Sequence, residues 1–162
     1  MTDILRLLLI IILLTISLAA YFLVIGTLFT TRVNKTQRVI NQIPGRAFGV
    51  GLVNFLFFGV IAVALFAVAE NVGGFIKGVL IIPALLITGL LIGLLSVGLT
   101  GMVNIFSERF FPDVGGWKKG FWGAAILCFA CALPFAGWFL LFPYIGFVGF
   151  GAVILGFFQR DN

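Results

Sequence analysis

Residues 7–31 read LLLIIILLTISLAAYFLVIGTLFTT, a run of 25 residues without a charged side chain. At about 1.5 Å per residue, a helix of this length exceeds the roughly 30 Å hydrocarbon core of a bilayer. Secretory signal peptides also have a basic residue before an apolar stretch and small residues at their cleavage site. Arg6 and the Ser-Leu-Ala sequence at 17–19 match these two features. The run continues apolar through 21–25, well past such a cleavage position, so we expect a retained transmembrane helix.

The composition of the whole chain agrees with this first segment. Of its 162 residues, 62% are apolar and only 9% are charged, whereas soluble proteins carry about 25% charged residues. Ten Lys/Arg and five Asp/Glu residues are too few to cover a water-soluble body of this size. The composition therefore predicts an all-α integral membrane protein in which residues 1–162 form a single transmembrane helical domain.

Further uncharged runs follow along the chain. The predicted spans after the first are 47–69, 79–106, 121–135 and 139–158. The last two belong to one uncharged stretch, in which Pro134 and Gly137 favour a tight hairpin; one long helix kinked at Pro134 is the alternative. The prediction is a bundle of five transmembrane helices, or four if the last is one long kinked helix. Val39, Ile40 and Ile43 in the first link predict a short helix on the membrane surface.

Basic residues concentrate in alternate links, which sets the orientation of membrane proteins. The first link holds four Lys/Arg, the second only Lys77, the third three, and the C-terminal tail Arg160. With five spans this predicts a multi-pass protein of the cell (inner or cytoplasmic) membrane, with its N-terminus outside and its C-terminus in the cytoplasm. The basic residues form no patch with interleaved aromatic residues, so nucleic acid is not an expected partner.

Small residues recur at helical spacing in the later spans, and such faces let helices approach closely in lipid. The predicted helix-packing residues are Gly89, Gly93, Gly101, Ala124, Cys128, Ala132, Gly149, Ala152 and Gly156. We expect the Gly89–Gly93 face to pack within the bundle, with oligomerisation as the alternative. Most of the bulky Phe side chains are then expected to face lipid or neighbouring subunits.

Few residues offer chemistry. Cys128 and Cys131 form a CxxC sequence that places two thiols on one helical face, but an electron relay needs a second pair and a tetrahedral metal needs two more ligands. With no other Cys and no His in the chain, we interpret both as small packing residues. Asn54 and Asn104 are polar positions within the spans and are expected to hydrogen-bond between helices; a polar constriction in a pore is the alternative.

Several short segments resemble a group of small bacterial polytopic membrane proteins. They are Pro44-Gly45-Arg46, ITGLLIG at 87–93, LPFAGW at 133–138 and GFGA at 149–152. The group includes membrane regions found with bactofilin-like, polymer-forming cytoskeletal domains, and the resemblance covers roughly residues 40–158. It implies a scaffold-like bacterial membrane protein and supplies no catalytic residues.

These observations favour a non-catalytic structural or accessory subunit of a larger membrane complex. Its expected partners are the lipid bilayer and other membrane protein subunits, and no cofactor or metal is predicted. A small channel or carrier that uses the two asparagines is the first alternative. A membrane thiol oxidoreductase that uses the CxxC pair is the second.

Overall fold

The computed structural model describes residues 2–115, 117–132 and 135–158, and among these residues it contains helices and turns but no strand. The elements are α1 (Thr2–Leu28), α2 (Thr30–Gln42), α3 (Pro44–Asn71), α4 (Phe75–Phe110), α5 (Trp117–Ala132), a π-helical turn (Ala136–Leu141) and α6 (Phe142–Phe158). The segments long and apolar enough to cross a membrane are Ile4–Leu28, Pro44–Asn71, Phe75–Phe110 and Phe139–Phe158. The all-helical prediction is confirmed, and these four segments fit a multi-pass membrane protein.

The break between α1 and α2 lies earlier than the predicted end of the first span at residue 31. Phe29 leaves the helical conformation, with φ −117° and ψ 35°. The next helix, α2, buries Val33, Val39 and Ile40, and it packs against α4 and α6. The sequence predicted a short helix here, lying on the membrane surface. The helix is present, but its apolar face contacts other helices of the same chain.

Helices α3 and α4 form an antiparallel pair joined by a very short turn. Pro44 stands in the first turn of α3, where the absence of its N–H costs nothing. Gly74 has φ +66°, a conformation that glycine adopts readily and other residues avoid. Helix α4 extends beyond the predicted 79–106 at both ends and runs through Pro83 without ending.

The helix is interrupted between α5 and α6. Phe135 has φ +65°, which ends any continuous helix there. A Cβ placed on Gly137 would lie 2.6 Å from the carbonyl oxygens of both Ala130 and Cys131, so the chain folds back onto the last turn of α5. Two separate helices therefore occupy this stretch rather than one kinked helix. Residues 133 and 134 lie outside the described residues.

The core is built from every helix. Its buried apolar side chains come from α1 to α6 and are Ala19, Phe22, Val39, Ile40, Ala47, Met102, Val103, Ala124, Leu127, Ile145, Val148 and Ala152. A second cluster joins Val33, Val97 and Val153. The residues that α3 and α4 contribute to these two clusters lie in the half of each helix near α2, whereas the other half of the hairpin exposes apolar side chains such as Val63 and Leu86. Such exposed faces suit lipid or another apolar surface.

Candidate functional site

Helix α6 contacts α3 and α4 through glycine backbones. A Cβ on Gly149 would lie 2.7 Å from the carbonyl carbon of Gly98, and one on Gly151 would lie 2.5 Å from the nitrogen of Gly51. Aromatic rings flank the α3–α6 contact, since the Phe55 ring centroid is 5.6 Å from that of Phe150. These close approaches need residues without a Cβ, as in small-residue packing of membrane helices.

The other small residues near the ends of α4 and α6 contact α2. A Cβ on Gly101 would lie 3.1 Å from Cγ2 of Thr36, and one on Gly156 would lie 3.7 Å from Cβ of Lys35. Ala152, four residues before Gly156, is fully buried. The structure therefore brings Gly101, Gly149, Ala152 and Gly156 into the contacts of one compact helix cluster.

The small row of α5 faces α1 and α4. Ala124 is fully buried, and a Cβ on Gly123 would lie 2.7 Å from the carbonyl oxygen of Val103 in α4. Cys128 is half-buried on the same helix. Ala132 ends α5, and its side chain lies outside the described residues.

Gly89 and Gly93 do not contact another helix of the chain. A Cβ on either residue would meet nothing within 4 Å, and both residues are exposed. They line a groove of about 580 Å³ that also contacts Tyr21 of α1 and Arg32 of α2. The face that we expected to pack within the bundle is therefore open in this chain.

A second open surface lies on the outer side of α3. A notch of about 370 Å³ surrounds Gly59 and is lined by Phe55, Leu56, Val60, Val63 and Ala64. A Cβ on Gly59 would meet nothing within 4 Å. Every lining side chain is apolar, so the notch fits an apolar occupant.

The two asparagines are not brought together. The Nδ2 of Asn54 donates a hydrogen bond to the carbonyl oxygen of Val50 at 2.8 Å, within its own helix and not between helices as predicted. Asn104 lines a separate cavity of about 210 Å³, together with Glu108 and Lys119. Asn54 does not line this cavity.

A hydrogen bond connects α1 and α4. The hydroxyl of Tyr21 donates to Oγ of Ser96 at 2.6 Å, and the Ser96 hydroxyl donates in turn to the carbonyl oxygen of Ile92 at 2.7 Å. Ser96 therefore accepts one bond and donates another, and the bond from Tyr21 links α1 to α4.

The two cysteines lie three residues apart on α5. Cys128 and Cys131 are free thiols in the structure. No group of three or more His, Cys, Asp or Glu that suits a metal ion occurs in the described part of the chain. The packing role expected for the two cysteines and the alternative of a thiol oxidoreductase both stay predictions.

Gly51 and Gly98 are among the tightly packed glycines that were not predicted from the sequence. Gly51 follows Ala47 by four residues in the second span, a small-xxx-small signal that was present but not used. Gly98 lies outside the four-residue row through Gly89 and Gly93, so that row gave no indication of it. Both glycines contact α6.

Comparisons with known proteins identified no relative of this chain. No family model, curated protein or solved structure matches the chain. The resemblance to membrane regions associated with bactofilin-like domains therefore stays a prediction.

Proposed function

We propose that this chain is a non-catalytic accessory subunit of a larger protein complex in a bacterial inner membrane. The observation that carries the proposal is the open apolar notch around Gly59 on α3. A glycine inside a helix costs about 1 kcal/mol relative to alanine, and at Gly59 no contact within the chain offsets that cost. A partner helix seated in the notch would offset it, as at other small-residue interfaces in membranes.

The charge distribution supports a packing role over transport. In the four apolar segments long enough to cross a membrane, every Asp, Glu, Lys and Arg lies within the first or last three residues. Buried ionisable side chains are the usual marks of coupled transport and proton paths. Polar groups inside the helices mostly bind their own backbone, as Thr88 and Thr100 do at 2.8 Å, and so they leave little polarity for a pore.

The proposal includes five membrane crossings, with the N-terminus outside and the C-terminus in the cytoplasm. Helix α5 has 16 residues and reaches about 24 Å at 1.5 Å per residue, slightly less than a usual crossing. It packs against α1 and α4, and a short link after Phe110 favours an antiparallel direction relative to α4. A fifth crossing by α5 also puts the basic first and third links on one side.

Cysteine labelling in intact cells tests the orientation. In a chain with Cys128 and Cys131 replaced by alanine, Asn71→Cys should react with a membrane-impermeant maleimide and Asn41→Cys should not. Asn41 lies near the end of α2 and Asn71 is the last residue of α3, and both are exposed. Both sites should therefore react after the membrane is permeabilised. Labelling of Asn41→Cys in intact cells would overturn the orientation.

Solubilisation from native membranes in a mild detergent tests the accessory role. Native electrophoresis followed by mass spectrometry should show the chain in an assembly of defined size with other membrane proteins. Gly59→Leu fills the notch and should release the chain from that assembly. The matched control, Gly49→Leu, lies on the same helix with nothing within 4 Å of its Cβ position and should leave the assembly intact. Migration of the wild-type chain as a lone monomer would contradict the proposal.

A further inference from the structure

The groove beside Gly89 and Gly93 is not filled by any other part of the chain that the structure describes. It lies between α1, α2, α4 and α6, and its volume of about 580 Å³ falls within the usual range for ligand pockets. Its lining is apolar except at Tyr21, Ser96 and Arg32. Tyr21 and Ser96 already bind each other, which leaves Arg32 as the charged group at this site.

Arg32 is held at the edge of the groove by an aromatic ring. Its guanidinium carbon lies 4.2 Å from the ring centroid of Phe157 in α6. A cation–π contact holds the guanidinium through its face, so the N–H groups, which lie in the guanidinium plane, stay available to an anion. In the part of the chain that the structure describes, no carboxylate lines this groove.

The position of this pair along the chain indicates its depth in a membrane. Arg32 follows the apolar segment Ile4–Leu28 by four residues, and Phe157 is the last residue but one of Phe139–Phe158. Two apolar segments therefore end where the guanidinium and the ring meet. Cations and aromatic rings at such ends lie at the level of the lipid headgroups.

The two glycines provide room for a hydrocarbon chain toward the apolar interior. Gly89 and Gly93 lie near the middle of the 36-residue helix α4, far from its charged ends. Because neither carries a side chain and nothing lies within 4 Å of their Cβ positions, the wall of the groove is concave there. The Tyr21–Ser96 hydrogen bond fixes the distance between the two helices that form its sides.

We infer that this groove binds an anionic phospholipid, with one acyl chain along Gly89 and Gly93 and the phosphate on Arg32. Arginine binds phosphate oxygens through two parallel N–H donors. A zwitterionic headgroup binds less well, because its own cation competes with the arginine for the phosphate. Basic pockets between membrane helices are known to select anionic lipids in this way. The site is separate from the notch on α3, so its test does not depend on the accessory role.

Native mass spectrometry of the purified full chain in detergent tests this site directly. The probes are phosphatidylglycerol and phosphatidylcholine with identical acyl chains, each added at the same concentration. The wild-type protein should retain phosphatidylglycerol about fivefold better than phosphatidylcholine, the factor that one basic residue contributes near anionic lipid. Arg32→Gln should bring this ratio close to one, and Arg32→Lys should keep part of it.

Two matched controls separate the groove from general charge and from misfolding. Arg38→Gln removes an exposed charge from the same helix, outside the groove, and should keep the fivefold ratio. Gly93→Leu fills the groove and should lower the retention of both lipids, whereas Gly78→Leu, at another open position of α4, should not. An equal loss of the ratio in Arg32→Gln and Arg38→Gln, or unchanged retention in Gly93→Leu, would overturn the inference. Displacement of the lipid by inorganic phosphate alone would also overturn it.

Discussion

Replacing Gly149 by alanine tests whether backbone contact between α4 and α6 holds the helix cluster together. The added Cβ would lie 2.7 Å from the carbonyl carbon of Gly98 and 2.9 Å from its oxygen. Real Cβ atoms essentially never come within 3.0 Å of another heavy atom in this way. Because the opposing atoms belong to the backbone, they cannot rotate aside, and the two helices must separate.

The cost follows from two opposing effects. Overpacking costs about 1–3 kcal/mol, and the upper half of that range applies because backbone lies on the receiving side. The better helix propensity of alanine returns about 1 kcal/mol. We therefore expect Gly149→Ala to lower the free energy of unfolding by about 1–2 kcal/mol. In contrast, Gly49→Ala meets nothing within 4 Å and should be neutral or should stabilise by up to about 1 kcal/mol.

Unfolding by sodium dodecyl sulfate in mixed micelles, followed by the fluorescence of the three tryptophans, measures both changes. The two variants should shift the transition in opposite directions. Agreement of the two free energies within about 0.5 kcal/mol, the scatter of substitutions that disturb no contact, would refute the role assigned to the α4–α6 contact.

Three further predictions can be checked in the same unfolding assay or in simple functional assays. Tyr21→Phe should lower the free energy of unfolding by about 0.6 kcal/mol, an average value for a hydrogen bond between membrane helices. In a protein that already carries Ser96→Ala, the same substitution should lower it no further. If the effects of the two substitutions simply add, the Tyr21–Ser96 bond does not form. Joint replacement of Cys128 and Cys131 by alanine should leave the native assembly and growth unchanged, and a loss of either would restore the redox alternative. Asn54→Leu should change stability little because Asn54 binds its own helix; abolition of a measurable solute flux in proteoliposomes would instead support a channel.

The sequence predicted the helices well because their signal is local. A long apolar run without charge has few options in lipid other than a helix, since every backbone group must be satisfied within the segment. The ends were less well predicted. Lys77 was assigned to a link, yet it lies in the first turn of α4, where a long side chain reaches outward without ending the helix.

The packing was harder to predict because it depends on which helices meet. Apolar helical residues surround Gly89, Gly93, Gly98 and Gly149 alike. Gly98 and Gly149 contact another helix of the chain, whereas Gly89 and Gly93 do not. Small residues permit close approach but do not specify the partner. The groove at Arg32 was not predicted for the same reason, since it needs residues from four helices.

Photo-crosslinking in living cells tests the central claim, the accessory role, most directly. A photoreactive amino acid in place of Val60, which lines the notch and is 67% exposed, should yield one discrete adduct with the same membrane protein that co-migrates with the chain in native electrophoresis. The same probe in place of Leu86, which is 69% exposed on α4, should yield lipid adducts. If the probe at position 60 gives only lipid adducts as well, the notch faces the bilayer and the accessory role through α3 is wrong.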